Sequence, residues 1–261
     1  PYKNLNIING NAFLFATKRA REGYNSSKFF KYLESLGVNP NMVTKEGETP
    51  IHNLSSACKD IATFQYFINK GVDINSEYKD GNNALINASY RNDTEVVNFL
   101  IKNTKKINHQ NKKGVSALSN SVRGNTLETV ELLIKNGAKV DVLDKNGNNL
   151  MFYLMEFYSD KNKTPFTKKL DLLTSNGLKV DTPQKNGNTL YHLAVLKNSI
   201  PLINKVNSFN LDINAKNKNG YTALQNAVMT SKNTQILKRL IELGANPKVT
   251  TEFNETIYDL G

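Results

Sequence analysis

The sequence predicts an all-α solenoid of about seven helix–turn–helix repeats with a partial repeat at its C-terminal end. Two observations lead there. Glycines recur at Gly47, Gly81, Gly114, Gly147, Gly187 and Gly220, spaced by 34, 33, 33, 40 and 33 residues. Self-similarity at such a period marks repeat architectures. A second landmark follows each glycine by about two dozen residues: a Leu/Ile pair, a glycine, then Val or Ile beside Asp or Asn, as in Leu132-Leu133 with Gly137 and Val140-Asp141.

Each repeat can be justified in order. Every motif glycine opens a similar phrase, such as Thr49-Pro50-Ile51-His52, Ser116-Ala117-Leu118 or Thr189-Leu190-Tyr191-His192. Thr, Ser or Asn there fits a helix start. Apolar residues at helical spacing follow, for example Val96, Val97, Leu100 and Ile101. Glycine after the second helix supplies the backbone that ends it. A weaker copy starts at Gly10, and a truncated one at Asn254. The repeats run approximately 4–43, 44–77, 78–110, 111–143, 144–183, 184–216 and 217–250, with a partial one at 251–261, in one domain spanning 1–261.

These phrases resemble the ankyrin repeat, whose pattern is G-x-T-P-L-H-x-A followed by a second helix ending in L-L-x-x-G-A-D-V-N. The resemblance covers nearly the whole chain. It implies an ankyrin-repeat solenoid whose helix pairs are joined by β-hairpin-like turns, with a structural role for the motif histidines. It also implies a non-catalytic protein that binds other proteins through a concave side. Family members in bacteria that serve as immunity or protective partners of toxins or enzymes add a narrower alternative.

Departures from the period are expected to matter locally. The interval from Gly147 to Gly187 carries seven extra residues around Tyr158–Phe166, between the two helices of the fifth repeat. The third repeat has Thr104 where a terminating glycine belongs, and the sixth has Asn210. Asn accepts a left-handed backbone far better than Thr.

The chain has 261 residues, with 34 Lys+Arg against 23 Asp+Glu and a formal net charge of +11. Such an excess favours acidic partners: protein, nucleic acid or anionic lipid. A lone Cys excludes an internal disulfide framework. Cys58 is placed in the first helix of the second repeat as a buried small residue. The apolar runs fall short of the roughly 20 residues of a membrane span. No targeting segment is visible, and the first residue is Pro1. A removed signal, with a periplasmic or secreted location, and a cytoplasmic location both fit. A monomer is expected.

No grouping reads as catalytic, cofactor-binding or metal-ligating. His52 and His192 occupy the motif position, and His109 reads as a solvated loop residue. Asp93 and Glu95 sit at a helix start, where acids suit the helix dipole. Enzymatic activity and a cofactor are therefore not expected.

The candidate binding positions come from the repeat register. Two places before each motif glycine stand Lys45, Lys79, Lys112, Lys145, Lys185 and Lys218, with Lys113 beside one of them. Stacking would align these amines along one edge, although lysine also suits any solvated tip. The exits of the first helices carry Tyr90, Arg91, Arg123, Phe157, Leu196 and Met229, and Val115 and Tyr221 follow their glycines. Aromatic residues and Arg are enriched where binding energy concentrates, while Phe157 and Leu196 fit a core role equally. Tyr158 and Phe166 of the insertion complete the set. The leading expectation is a protein-interaction scaffold with a Lys-rich concave face, and the alternative is a basic stripe that binds nucleic acid.

Overall fold

The computed structural model describes residues 6–7, 10–19, 27–91, 93–158, 161, 163–230 and 234–260. The chain packs as two compact units, Pro1–Val140 and Asp141–Gly261.

The first unit opens with a two-residue hairpin, β1 (Asn6–Ile7) against β2 (Gly10–Asn11). Four helix pairs follow: α1 (Ala12–Arg19) with α2 (Ser27–Ser35), α3 (Pro50–Ser55) with α4 (Ile61–Asn69), α5 (Ala84–Arg91) with α6 (Thr94–Asn103), and α7 (Ala117–Gly124) with α8 (Leu127–Lys135). The first helix of each pair stacks on the next, α1 on α3 on α5 on α7, and α6 stacks on α8. No pair can cover its own apolar face, so stacking makes one continuous core. In α6 the predicted residues Val96, Val97, Leu100 and Ile101 are all buried.

An aromatic cluster fills the start of this stack. Phe13, Phe30 and Phe67 are fully or almost fully buried. Phe30 and Phe67 meet edge-on at 5.2 Å, and Tyr66 stands edge-on to Phe67 at 5.0 Å. Such ring pairs each contribute roughly 0.5–1.5 kcal/mol beyond their burial.

The second unit contains α9 (Leu150–Phe157) with α10 (Lys163–Ser175), α11 (Leu190–Leu196) with α12 (Ile200–Asn207), α13 (Ala223–Thr230) with α14 (Thr234–Glu242), and the short α15 (Ile257–Leu260). Leu150 to Met155 of α9 are all buried. The insertion of the fifth repeat enters a long α10 of 13 residues, and its Phe166 is fully buried. Ser159, Asp160 and Asn162 of that insertion lie outside the described residues.

Helix ends follow the predicted chemistry. After α8 the Gly137 N–H donates to Ile134 O at 2.9 Å and the Ala138 N–H to Leu133 O at 3.0 Å. Ala138 is buried beneath that turn, which is the paired-bond helix stop with its apolar contact. Asn210 takes the left-handed conformation in the glycine's place, at φ 54°. Thr104 instead leaves α6 extended, at φ −97° and ψ 148°, and its hydroxyl lies 2.6 Å from Asn75 Oδ1. A β-branched residue avoids the left-handed region, so this corner opens.

Between pairs the chain closes tight turns. Isolated bridges pair Gln110 with Ser116 and Lys216 with Thr222 across two of them, giving the hairpin-like form expected. The truncated copy closes the same turn: the Thr251 N–H donates to Glu255 O at 2.8 Å, with Asn254 left-handed at φ 62°.

Two placements differ from expectation. Cys58 lies beyond the end of α3, in the turn before α4, and not in the helix. It is still buried, and burial pushes its thiol pKa up. His109 is not a solvated residue: its side chain is only 16% exposed, and Nε2 sits 2.7 Å from Gly81 O. The ring ties one turn to its neighbour, a contact invisible in a local reading of Asn108-His109-Gln110.

Candidate interaction surface

The motif histidines act as cross-turn ties. The Thr49 N–H donates to His52 Nδ1 at 3.1 Å, while Nε2 lies 2.9 Å from Ser76 O. One neutral tautomer satisfies both contacts, with the proton on Nε2. His192 repeats the arrangement with the Thr189 N–H and Tyr221 O. Gln225 holds the same place in the seventh repeat: Oε1 accepts from the Thr222 N–H at 2.8 Å, and Nε2 donates to Val249 O at 2.9 Å. The equivalence identifies the role as hydrogen bonding by a neutral group. Burial holds both histidines below the usual imidazole value.

The six motif lysines are all exposed. Their aliphatic stems also pack. A methyl group built on Gly147, at φ 79°, would lie 2.6 Å from the Lys185 backbone nitrogen and 3.0 Å from its Cγ. Gly81 stands in the same relation to Lys112, with 2.9 and 3.2 Å. Backbone bonds join these tips: the Lys112 N–H donates to Asp80 O, Lys185 to Asn146 O and Lys218 to Asn186 O, each at 2.9 Å. Amide side chains add a second rung, Asn111 to Asn82 at 2.7 Å, Asn217 to Asn188 at 2.9 Å, and Gln184 to Asn148.

The charge along the tips is uneven. Lys79 pairs with Glu46 at 3.4 Å and lies over the Tyr78 ring. The Lys112 amine donates to Lys79 O at 2.6 Å. Lys145 shares its tip with Asp144 and the Glu252 side chain lies against Gly220 of the Lys218 tip, whereas Lys113 and Lys185 have no acid beside them in sequence.

Residues six and nine places after each motif glycine line the inner side of the first helices. In the first unit Ser56, Asn87, Tyr90, Asn120 and Arg123 border an open groove of about 380 Å³. The Asn120 amide donates to Ile86 O at 2.9 Å, and Asn53 makes the same backward bond to Leu14 O at 3.3 Å. The Arg123 guanidinium lies 5.4 Å from the Tyr90 ring centroid. Arg91 closes α5, and its side chain lies outside the described residues. Val115 and Tyr221 are half-buried, and each closes its turn through its backbone.

The second unit presents other chemistry at the same positions. Leu196 is 59% exposed and Met229 is 42% exposed, so the core role open to Leu196 does not hold. Tyr158 packs edge-on against buried Phe166 at 4.8 Å. Phe157 is half-buried beneath the Lys169 amine, 3.9 Å from the ring centroid. Lys169 is itself 1% exposed, and burial pushes its amine down to about 8. Nothing in the period pointed to this lysine, because its helix is the one lengthened by the insertion.

Among the described residues no three His, Cys, Asp or Glu side chains converge as metal ligands. No helix among them is long and apolar enough to cross a membrane.

Comparisons with known proteins agree with this architecture. A family model described as ankyrin repeats (3 copies) matches residues 16–111 and 87–161, and one described as ankyrin repeat matches residues 219–252. No curated protein matches the sequence. The crystal structure of the human ASB11 ankyrin repeat domain is similar, with a TM-score of 0.63 at 17% sequence identity over 82% of this chain and 92% of that one. That likeness speaks for the fold, and the family models span more than half of the sequence. The chain belongs to the ankyrin-repeat family.

Proposed function

We propose that this protein is a non-catalytic scaffold that holds a partner protein against its first-helix face and turn tips. Ankyrin repeats generally mediate protein–protein interaction, and the family is generally non-catalytic. The observation that carries the reading is the open groove bordered by Asn87, Tyr90, Asn120 and Arg123, where polar and aromatic groups face solvent. Exposed Lys113, Lys145, Lys185 and Lys218 bias encounter toward an acidic surface on that partner.

A photo-crosslinking residue placed at 123, 196 or 229, and separately at the second-helix position 135, tests the face. A partner is expected to crosslink from the first-helix sites of each unit, tested separately, and not from position 135. Lys145→Glu with Lys185→Glu is expected to weaken that complex at least fivefold at low salt. Equal crosslinking from both helix layers would sink the proposed face.

A further inference from the structure

We propose that the first-unit groove takes one particular form of ligand, an extended acidic peptide segment, with a carboxylate seated on Arg123. This rests on the scaffold reading and narrows it. Gly124 is the last residue of α7, where the chain turns toward α8. A methyl group at this position would lie 2.5 Å from Tyr90 Cε2 and 2.6 Å from Tyr90 O. The missing side chain is therefore the space in which the Tyr90 ring lies. Arg123, one residue earlier, covers that ring at 5.4 Å. The ring holds the planar guanidinium by cation–π attraction, and Arg123 stays exposed. A guanidinium fixed in this way is the group best suited to a carboxylate, which it can meet with two parallel hydrogen bonds.

The groove floor matches a peptide backbone. Asn120 spends one amide hydrogen on Ile86 O, which fixes its orientation and leaves its carbonyl oxygen and second N–H. Asn87 occupies the corresponding position one repeat earlier. Stacked helices stand about 8–10 Å apart, which is roughly three residues of extended chain at about 3.3 Å each. A strand crossing the first helices would thus meet one such asparagine at every third residue. The groove volume of about 380 Å³ falls at the small end of ligand clefts and admits side chains of a single strand. Among the described residues its lining carries one cation and no lysine, which suits an isolated carboxylate. A polyanion such as nucleic acid needs a row of cations along its backbone.

Fluorescence anisotropy with fluorescein-labelled nine-residue peptides tests this on the full chain. One set carries Asp or Glu in a Gly/Ser/Asn background, and a matched set carries Asn or Gln. The acidic set is expected to bind at least tenfold more tightly, and Arg123→Ala should abolish that preference. Arg123→Lys should retain part of it. Gly124→Ala, which displaces Tyr90 without removing any lining group, should weaken binding at least threefold, with folding checked by circular dichroism. Lys135→Ala on the second-helix layer should change affinity less than twofold. Equal binding of acidic and neutral peptides, no binding of either, or displacement by a single-stranded oligonucleotide at equal potency overturns the proposal. A blank peptide result beside successful crosslinking of a folded partner would leave the scaffold reading standing and remove this one.

Discussion

The two units build the same backbone frame and put different chemistry on it. Six and nine places after the motif glycine the first unit has Asn53 with Ser56, Asn87 with Tyr90, and Asn120 with Arg123. The second has Tyr153 with Glu156, Leu193 with Leu196, and Asn226 with Met229. One surface is polar and cationic, while the other offers exposed Leu196 and Met229. Seven places after the glycine the buried side chain varies within each unit, Leu54, Ala88 and Ser121 in the first and Leu154, Ala194 and Ala227 in the second, so Ser121 and Leu154 make one contrasting pair. A repeat fixes the positions of side chains and leaves their chemistry free, so an averaged motif describes neither unit.

The largest expected effect breaks the contrast at that buried position. Leu154→Ala leaves a cavity in the second unit and should cost about 2–5 kcal/mol. Ser121→Ala removes only a hydroxyl bonded to Leu118 O at 3.0 Å and should cost about 1 kcal/mol or less. Urea denaturation measures both, and equal losses would show that the two cores are packed alike.

A smaller effect comes from Lys169, which has no counterpart in the first unit. Below pH 8 both folded and unfolded chains carry its proton, and the folded chain bears the cost of a buried charge. Between about 8 and 10.5 the folded chain has released the proton while the unfolded chain retains it. The unfolded state binds more protons there, so stability rises with pH across this window. Contact with the Phe157 ring offsets part of the cost. Lys169→Met should flatten the rise in stability between pH 8 and 10.5. Thermal unfolding at several pH values would read it, and an unchanged pH profile would contradict the assignment.

The smallest effect tests what the units share. His52 and His192 are held neutral by burial. As pH falls through about 6.5 the unfolded rings take up protons before the folded ones do. Stability is therefore lost as pH drops from about 7 toward 5. His52→Gln with His192→Gln should leave the pH 7 melting temperature nearly unchanged, since Gln225 makes the same two bonds. The acid-induced decline should shrink. A large loss at pH 7 would mean that the ring itself, and not its hydrogen bonds, is needed.

Much of the frame was legible because it repeats. A left-handed tip demands glycine, a helix start favours Thr, Ser or Asn, and six copies in register turn weak preferences into one architecture. The motif histidines were legible for the same reason, as was the opened corner at Thr104. What escaped depends on contacts across repeats or on a departure from the period. The amide pair of Asn111 and Asn82 lies 29 residues apart in sequence. Tyr90 rests against Gly124, in the next repeat. The Phe13, Phe30 and Phe67 cluster forms only once three helices converge. Cys58 was misplaced by a few residues because α3 ends at Ser55, earlier than the motif alone suggests.

The rungs between the tips have one more consequence. Backbone amides and the Asn and Gln side chains that join them are uncharged, so neither salt nor moderate pH change weakens them. For the acidic ligand proposed above, ionic strength would load and strip it while the frame beneath keeps its shape. A purification or a biosensor built on this chain could cycle between low and high salt without unfolding it, because what grips and what supports respond to different variables.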